Sequence, residues 1–168
     1  YGVVDPDATM ARASLGLACA PPPELRIALL GVRCEACAFG LERVNTTVAD
    51  AEELVRSAPR GSIPWAQGMM LYTFGTLLAG RIPDLLAAIE LLREVDPAPE
   101  AVGKMAFTLL TSTAMLDNLG QVPKGTALEE RFRAVVRSSG DGVPLAHVWW
   151  NVAIGWSTRM PAAAVSDR

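Results

Sequence analysis

The sequence predicts an all-α fold: a right-handed array of antiparallel helix pairs, about eight helices in all. Three observations predict it. The first is a recurrence. Gly80-Arg81-Ile82-Pro83 returns as Gly120-Gln121-Val122-Pro123 and as Thr158-Arg159-Met160-Pro161, at offsets of 40 and 38 residues, with a weaker copy at Glu42-Arg43-Val44-Asn45. A fixed period of that length marks a chain built from stacked copies of one small unit. The second is apolar spacing. Leu85, Leu86, Ile89, Leu92 and Val95 mark one helical face, and no window shows the strict alternation of a half-buried strand. The third is punctuation: prolines and glycines close one helix and open the next.

The elements follow in order. Asp5-Pro6-Asp7 opens a helix that runs to about Ala20 and stops at Pro21-Pro22-Pro23. A second is expected over 23–42. Asn45-Thr46-Thr47 caps a third over 47–58, and Ser62 with Pro64 starts a fourth over 63–80. Pro83 starts a fifth over 83–96. The sixth covers 99–119, with Gly120 as its stop. Thr126 and Glu129 read as a capping box for a seventh over 126–138, and Pro144 opens an eighth over 143–159. Long A helices (23–42, 63–80, 99–119, 143–159) thus alternate with short B helices (47–58, 83–96, 126–138). The units are 23–60, 61–98, 99–140 and an incomplete 141–168, within one domain over 1–168.

Other positions keep this register. Ala49, Ala87 and Ala127 form one column; Ala28, Ala66 and Ala106, with Pro144 fourth, form another. Leu54, Leu92 and Phe132 form a large apolar column, and Glu35, Thr73, Thr113 and Asn151 a polar one. Cys37, Gly75 and Ala153 are small, but Met115 breaks their column.

Composition bounds the function. The chain has 168 residues, 51% apolar and 20% charged, which is globular and not disordered. A net charge of −3 supplies no basic footprint for nucleic acid, and no apolar run is long enough to span a membrane. The chain opens Tyr1-Gly2-Val3 and closes soon after a unit boundary, so a piece of a longer protein is expected. Thirteen arginines against Lys104 and Lys124, with abundant alanine, suggest a GC-rich bacterial source. Cys34-x-x-Cys37 has the spacing of half a zinc site or a redox pair, but His147 is the sole histidine, so small core residues are the plainer reading.

The helix pairing resembles the tetratricopeptide family and its looser helical-repeat relatives. The resemblance covers about residues 23–161. Gly75 with Ala87, and Cys37 with Ala49, stand where that family crosses its two helices; Phe74-Gly75 replaces its usual Leu-Gly, and Pro99 falls where its closing proline would. Met115 and Glu94 depart from the pattern, and the units exceed the family's usual length. The resemblance implies an α-solenoid whose A helices line a concave groove. It also implies a non-catalytic protein-interaction or regulatory module of a larger cytoplasmic signalling or transcriptional regulator, of the kind found beside bacterial kinase or ATPase modules. The alternative is a small-molecule sensor with its ligand in the groove.

Under that resemblance the polar column Glu35, Thr73, Thr113 and Asn151 is the candidate groove lining, or else a solvated face, with Arg33, Gln67, Lys104 and His147 flanking it. The expected partner is a protein, a peptide or a neighbouring domain, with no cofactor and no metal. Trp149, Trp150 and Trp156 crowd the last A helix, either as core or as an aromatic platform; self-association through that helix, or its cover by residues 161–168, is expected. No enzyme is indicated. There is no Gly-x-Ser-x-Gly, Glu52/Glu53 and Glu129/Glu130 are adjacent pairs that point apart on a helix, and Ser138-Ser139-Gly140-Asp141-Gly142 lacks the Lys-Ser/Thr of a phosphate loop.

Overall fold

Two of the recurring tetrapeptides fold alike. In the computed structural model, which describes residues 5–37 and 43–138, Gly80 and Gly120 end their helices with φ of 68° and 70°. The next amide reaches back five residues in each case: Arg81 N–H to Thr76 O at 2.8 Å, and Gln121 N–H to Leu116 O at 2.8 Å. Glycine takes this left-handed cap without a Cβ penalty and so satisfies carbonyls that a helix end leaves unpaired. Pro83 and Pro123 then sit in the first turn of the following helix, where no amide is needed. The copies at 42–45 and 158–161 lie wholly or partly outside the described residues.

The described residues form seven α-helices and no strand: α1 (Pro6–Ala18), α2 (Pro23–Cys37), α3 (Val44–Ser57), α4 (Ile63–Leu78), α5 (Ile82–Glu94), α6 (Val102–Asn118) and α7 (Val122–Ser138), with a 3-10 turn, Pro99–Ala101, leading into α6. The eighth helix expected over 143–159 lies outside them. Asp5 caps α1 by accepting from the amides of Asp7 and Ala8, and Ser62 caps α4 through Trp65 N–H, both as expected.

Two threonine caps are corrected. Helix α3 starts three residues before Thr47, and α7 four residues before Thr126. Both hydroxyls donate back up their own helix, Thr47 to Arg43 O at 3.2 Å and Thr126 to Val122 O at 3.1 Å. A threonine inside a first turn can satisfy its hydroxyl this way, so it resembles a cap without being one. Glu129 pairs instead with Arg133 at 2.8 Å. The long–short alternation fails with it: α6 and α7 both have 17 residues.

Helix α4 packs against α2, α3, α5 and α6, while α2 packs on α3 and α6 on α7. Trp65, Met69, Leu54, Leu85, Ile89, Leu92, Met105, Leu109, Leu116 and Leu128 fill the shared core, all essentially inaccessible. The large apolar column is part of it: Leu54 and Leu92 are fully buried and Phe132 nearly so.

The crossing positions differ from expectation. A Cβ on Gly75 would lie 2.8 Å from Val48 Cγ2, and one on Gly68 would lie 3.1 Å from Leu54 Cγ and Val55 Cγ2. These glycines are seven residues apart, on one face of α4, and that face receives α3 rather than α5. Ala87, expected opposite Gly75, is exposed, as is Ala49; the buried neighbour is Ala88. The column was out of phase by one residue, which on a helix is a rotation of about 100°. Ala28 is likewise exposed, while Ala66 and Ala106 are buried.

The corners are tied together. Gly61 has φ 79°, its carbonyl accepts from Ala98 N–H at 2.9 Å, and a Cβ there would lie 2.3 Å from Asp96 O. The α3–α4 corner is thereby stapled to the α5–α6 corner. Gly61→Ala is expected to cost about 1–3 kcal/mol in a urea titration, because both the φ value and the backbone contact resist a side chain. Gly75→Ala is expected to be destabilised by about 1 kcal/mol, overpacking against Val48 outweighing the better helix propensity. By contrast, Gly103→Ala meets open space in α6 and should be neutral or slightly stabilising. Ala87→Leu should stay within about 0.5 kcal/mol of wild type, as for other exposed positions. A large loss at Ala87 with none at Gly75 would reverse this assignment.

Candidate functional site

Helices α2, α4 and α6 stand side by side with α4 in the middle. Small residues and backbone acceptors set their spacing. Gln67 Nε2 on α4 donates to Gly31 O on α2 at 3.3 Å, and a Cβ on Gly31 would touch the Gln67 amide at 3.5 Å. On the other flank Thr108 Oγ1 on α6 donates to Ala66 O on α4 at 3.0 Å, a buried contact.

Across this row runs an ion pair, Lys104 Nζ to Glu35 Oε1 at 3.6 Å, joining α6 to α2. An exposed pair of that length contributes little stability. Its value is geometric. Neighbouring helix axes stand about 8–10 Å apart, so two spacings approach the limit that extended Lys and Glu side chains can bridge. A row splayed away from this side could not make the contact. The pair therefore places Glu35, Gln67 and Lys104 on one continuous face.

The remaining candidates separate. Thr73 and Thr113 are buried, and their hydroxyls donate to Met70 O and Leu109 O of their own helices at 2.9 Å each, so neither offers a group to a groove ligand. Three-to-four-residue phasing turns these positions inward on α4 and α6, whereas Glu35 points out from α2. Arg33 also serves the interior. Its Nε and Nη2 bind Asp50 Oδ2 and Oδ1 on α3 at 2.6 and 2.5 Å, and its Nη1 lies 3.4 Å from Ser14 Oγ on α1. Asp50 is nearly closed to solvent, with 7% of its side chain accessible, and this fork is what allows a carboxylate there. Asn151 and His147, together with Trp149, Trp150 and Trp156, lie outside the described residues.

Sequence reasoning missed the apolar part of the face. Met70 and Phe74 follow Gln67 at three and seven residues, and Phe107 and Thr111 follow Lys104 in the same way; all four are partly exposed. Those spacings put them on the same side as Gln67 and Lys104. The signal was present in the helical spacing, but the polar column drew attention to the opposite phase.

Elsewhere the described residues hold no group of three or more His, Cys, Asp or Glu that could bind a metal ion. Cys34 is buried beside Ala51 and Leu71, with Sγ 4.0 Å from Thr47 O, as a small core residue would be. A concavity of about 350 Å³ opens between α3 and α5 above Trp65 and Tyr72. The Tyr72 phenol is held above its ordinary pKa by burial first, then by the charges of Asp84 and Glu52, so it remains a neutral donor at physiological pH.

Arg33→Ala should strand the Asp50 carboxylate and lower unfolding stability by about 3–5 kcal/mol, with the double variant Arg33→Ala/Asp50→Ala recovering part of the loss. A single variant as stable as wild type would contradict the pairing. Compared with protein-family models, curated proteins and solved structures, the chain matches none.

Proposed function

We propose that the chain is a non-catalytic binding module, a tetratricopeptide-like helical array whose α2/α4/α6 face docks an extended segment of a protein partner. The observation that carries this reading is the Glu35–Lys104 pair across α4. It joins the three helices into one face that has half-exposed apolar side chains, Met70, Phe74 and Phe107, beside charged and amide groups. Recognition surfaces commonly combine apolar anchors with a polar rim, the anchors supplying affinity and the rim orientation. Helix pairs that can bury their stripes only against neighbours also favour stacked arrays over closed catalytic clefts. In this reading the module belongs to a larger cytoplasmic regulator in bacterial signalling or transcription, and the expected units at 23–60, 61–98 and 99–140 are its structural repeats. Among the described residues no helix is long and apolar enough to cross a membrane.

The test is selection of peptides from a random displayed library on the immobilised protein. Enriched peptides should lose at least tenfold in affinity against Lys104→Glu and Phe107→Ala, while Arg133→Ala, on the exposed surface of α7, binds as wild type does. All three variants should retain their helical circular dichroism. Absence of any enriched peptide, or peptides indifferent to both face substitutions, would overturn the reading.

A further inference from the structure

Helices α3 and α5 are barely in contact, although each packs on α4. The next pair on that side is tied firmly. Lys124 of α7 binds Glu90 of α5 at 2.9 Å, and Arg131 of α7 binds Val95 O and Asp96 Oδ1 at 2.9 and 2.6 Å. Glu90 is accordingly held below the usual carboxylate range, by its hydrogen bond from Lys124 above all. No such bond closes α3 onto α5 among the described residues. The gap between them is the concavity of about 350 Å³, at the small end of the range that small-molecule sites occupy.

Its walls have a definite chemistry. Val55, Ala58 and Leu91 provide aliphatic surface and Tyr72 aromatic surface, with the buried Trp65 beneath them. Arg56 and Arg60 supply two guanidinium groups at the α3 side. The carboxylates nearby are already matched: Glu52 with Arg56 at 3.1 Å, and Asp84 with Arg81 at 2.6 Å. Arg60 makes no hydrogen bond or ion pair among the described residues, so its charge is the surplus at the rim. Its backbone is not free to drift, because the adjacent Gly61 is fixed to Ala98. Trp65 itself is fully buried, and its indole N–H has no acceptor among the described residues.

We propose that the cleft between α3 and α5 binds a small organic anion, a carboxylate or phosphate carried on a body about the size of one ring. The ring lies against Val55, Leu91 and Tyr72, where apolar burial drives entry. The anionic head meets Arg60, with Arg56 beside it, since a planar guanidinium presents paired donors to either head group. The neutral Tyr72 hydroxyl is the donor left to orient an oxygen atom of the ligand. This site shares α4 with the α2/α4/α6 face but none of the residues named for that face, so it stands or falls independently of peptide docking.

The experiment is an amide and indole NMR titration of the whole chain with three probes: benzoate, phenyl phosphate and the uncharged benzyl alcohol. The expected result is saturable shifts at residues 52–60, at Leu91 and at the Trp65 indole, with one or both anions binding at least tenfold more tightly than the alcohol. Comparison of benzoate with phenyl phosphate identifies which head group is preferred. Arg60→Ala, on an exposed corner, should weaken the anions at least tenfold, and Arg60→Lys should restore part of that loss. The proposal is overturned if neither anion saturates at millimolar concentration, if Arg60→Ala binds both as wild type does, or if the shifts fall on Gln67, Met70 and Phe107 instead.

Discussion

The close approach of α3 to α4 governs the rest of this structure. Gly68 and Gly75 strip one face of α4 of side chains, and Leu54, Val55 and Val48 of α3 fill the space they leave. Helix α2 rides on α3, held by the Arg33–Asp50 fork and by the burial of Cys34 against Ala51. The depth of α3 against α4 therefore sets where α2 stands. The same contact bears on both candidate surfaces. Behind α4, α3 sits too deep to lean on α5, and the cleft above Trp65 and Tyr72 opens. In front, α2 comes close enough for Gly31 to accept from Gln67 and for Glu35 to meet Lys104.

The charged groups divide by burial into two kinds. Arg33 and Asp50 are withdrawn from water and satisfy each other in a fixed geometry, so their worth lies in specifying how α1, α2 and α3 meet. The i,i+3 and i,i+4 pairs on the outside, such as Arg93–Glu90 and Arg133–Glu129, are exposed and contribute only tenths of a kcal/mol. Arg60 belongs to neither group, which is why it stands out beside a cleft whose other charges are paired.

Much of the architecture was legible in the sequence. Proline and glycine chemistry is local, so Asp5, Ser62, Gly80 and Gly120 could be assigned without knowing the fold, and each holds the place it was given. Apolar columns were readable too, since Leu54, Leu92 and Phe132 must be buried whatever surrounds them. Helix phase at small residues was less legible. Alanine fits both an exposed and a buried position, so Ala87 could not be told from Ala88 by type alone. Threonine was similarly ambiguous: its hydroxyl can cap a helix, face solvent or bond to the preceding turn. At Thr47, Thr73, Thr113 and Thr126 it does the last. Contacts between distant segments, including the Glu35–Lys104 bridge and the gap between α3 and α5, depend on packing that no local pattern encodes.

The account rests most directly on the bridge over α4, and the chain's lysine content makes it testable. Lys104 and Lys124 are its only lysines, so a zero-length carbodiimide reaction, which joins a carboxylate to an amine in contact, yields few products. Lys124–Glu90, at 2.9 Å between neighbouring helices α5 and α7, serves as the internal standard. Mass spectrometry of the digested product should find both a Lys124–Glu90 and a Lys104–Glu35 link within one chain, the second abolished by Glu35→Gln. Formation of the Lys124–Glu90 link without any Lys104–Glu35 link would contradict the account.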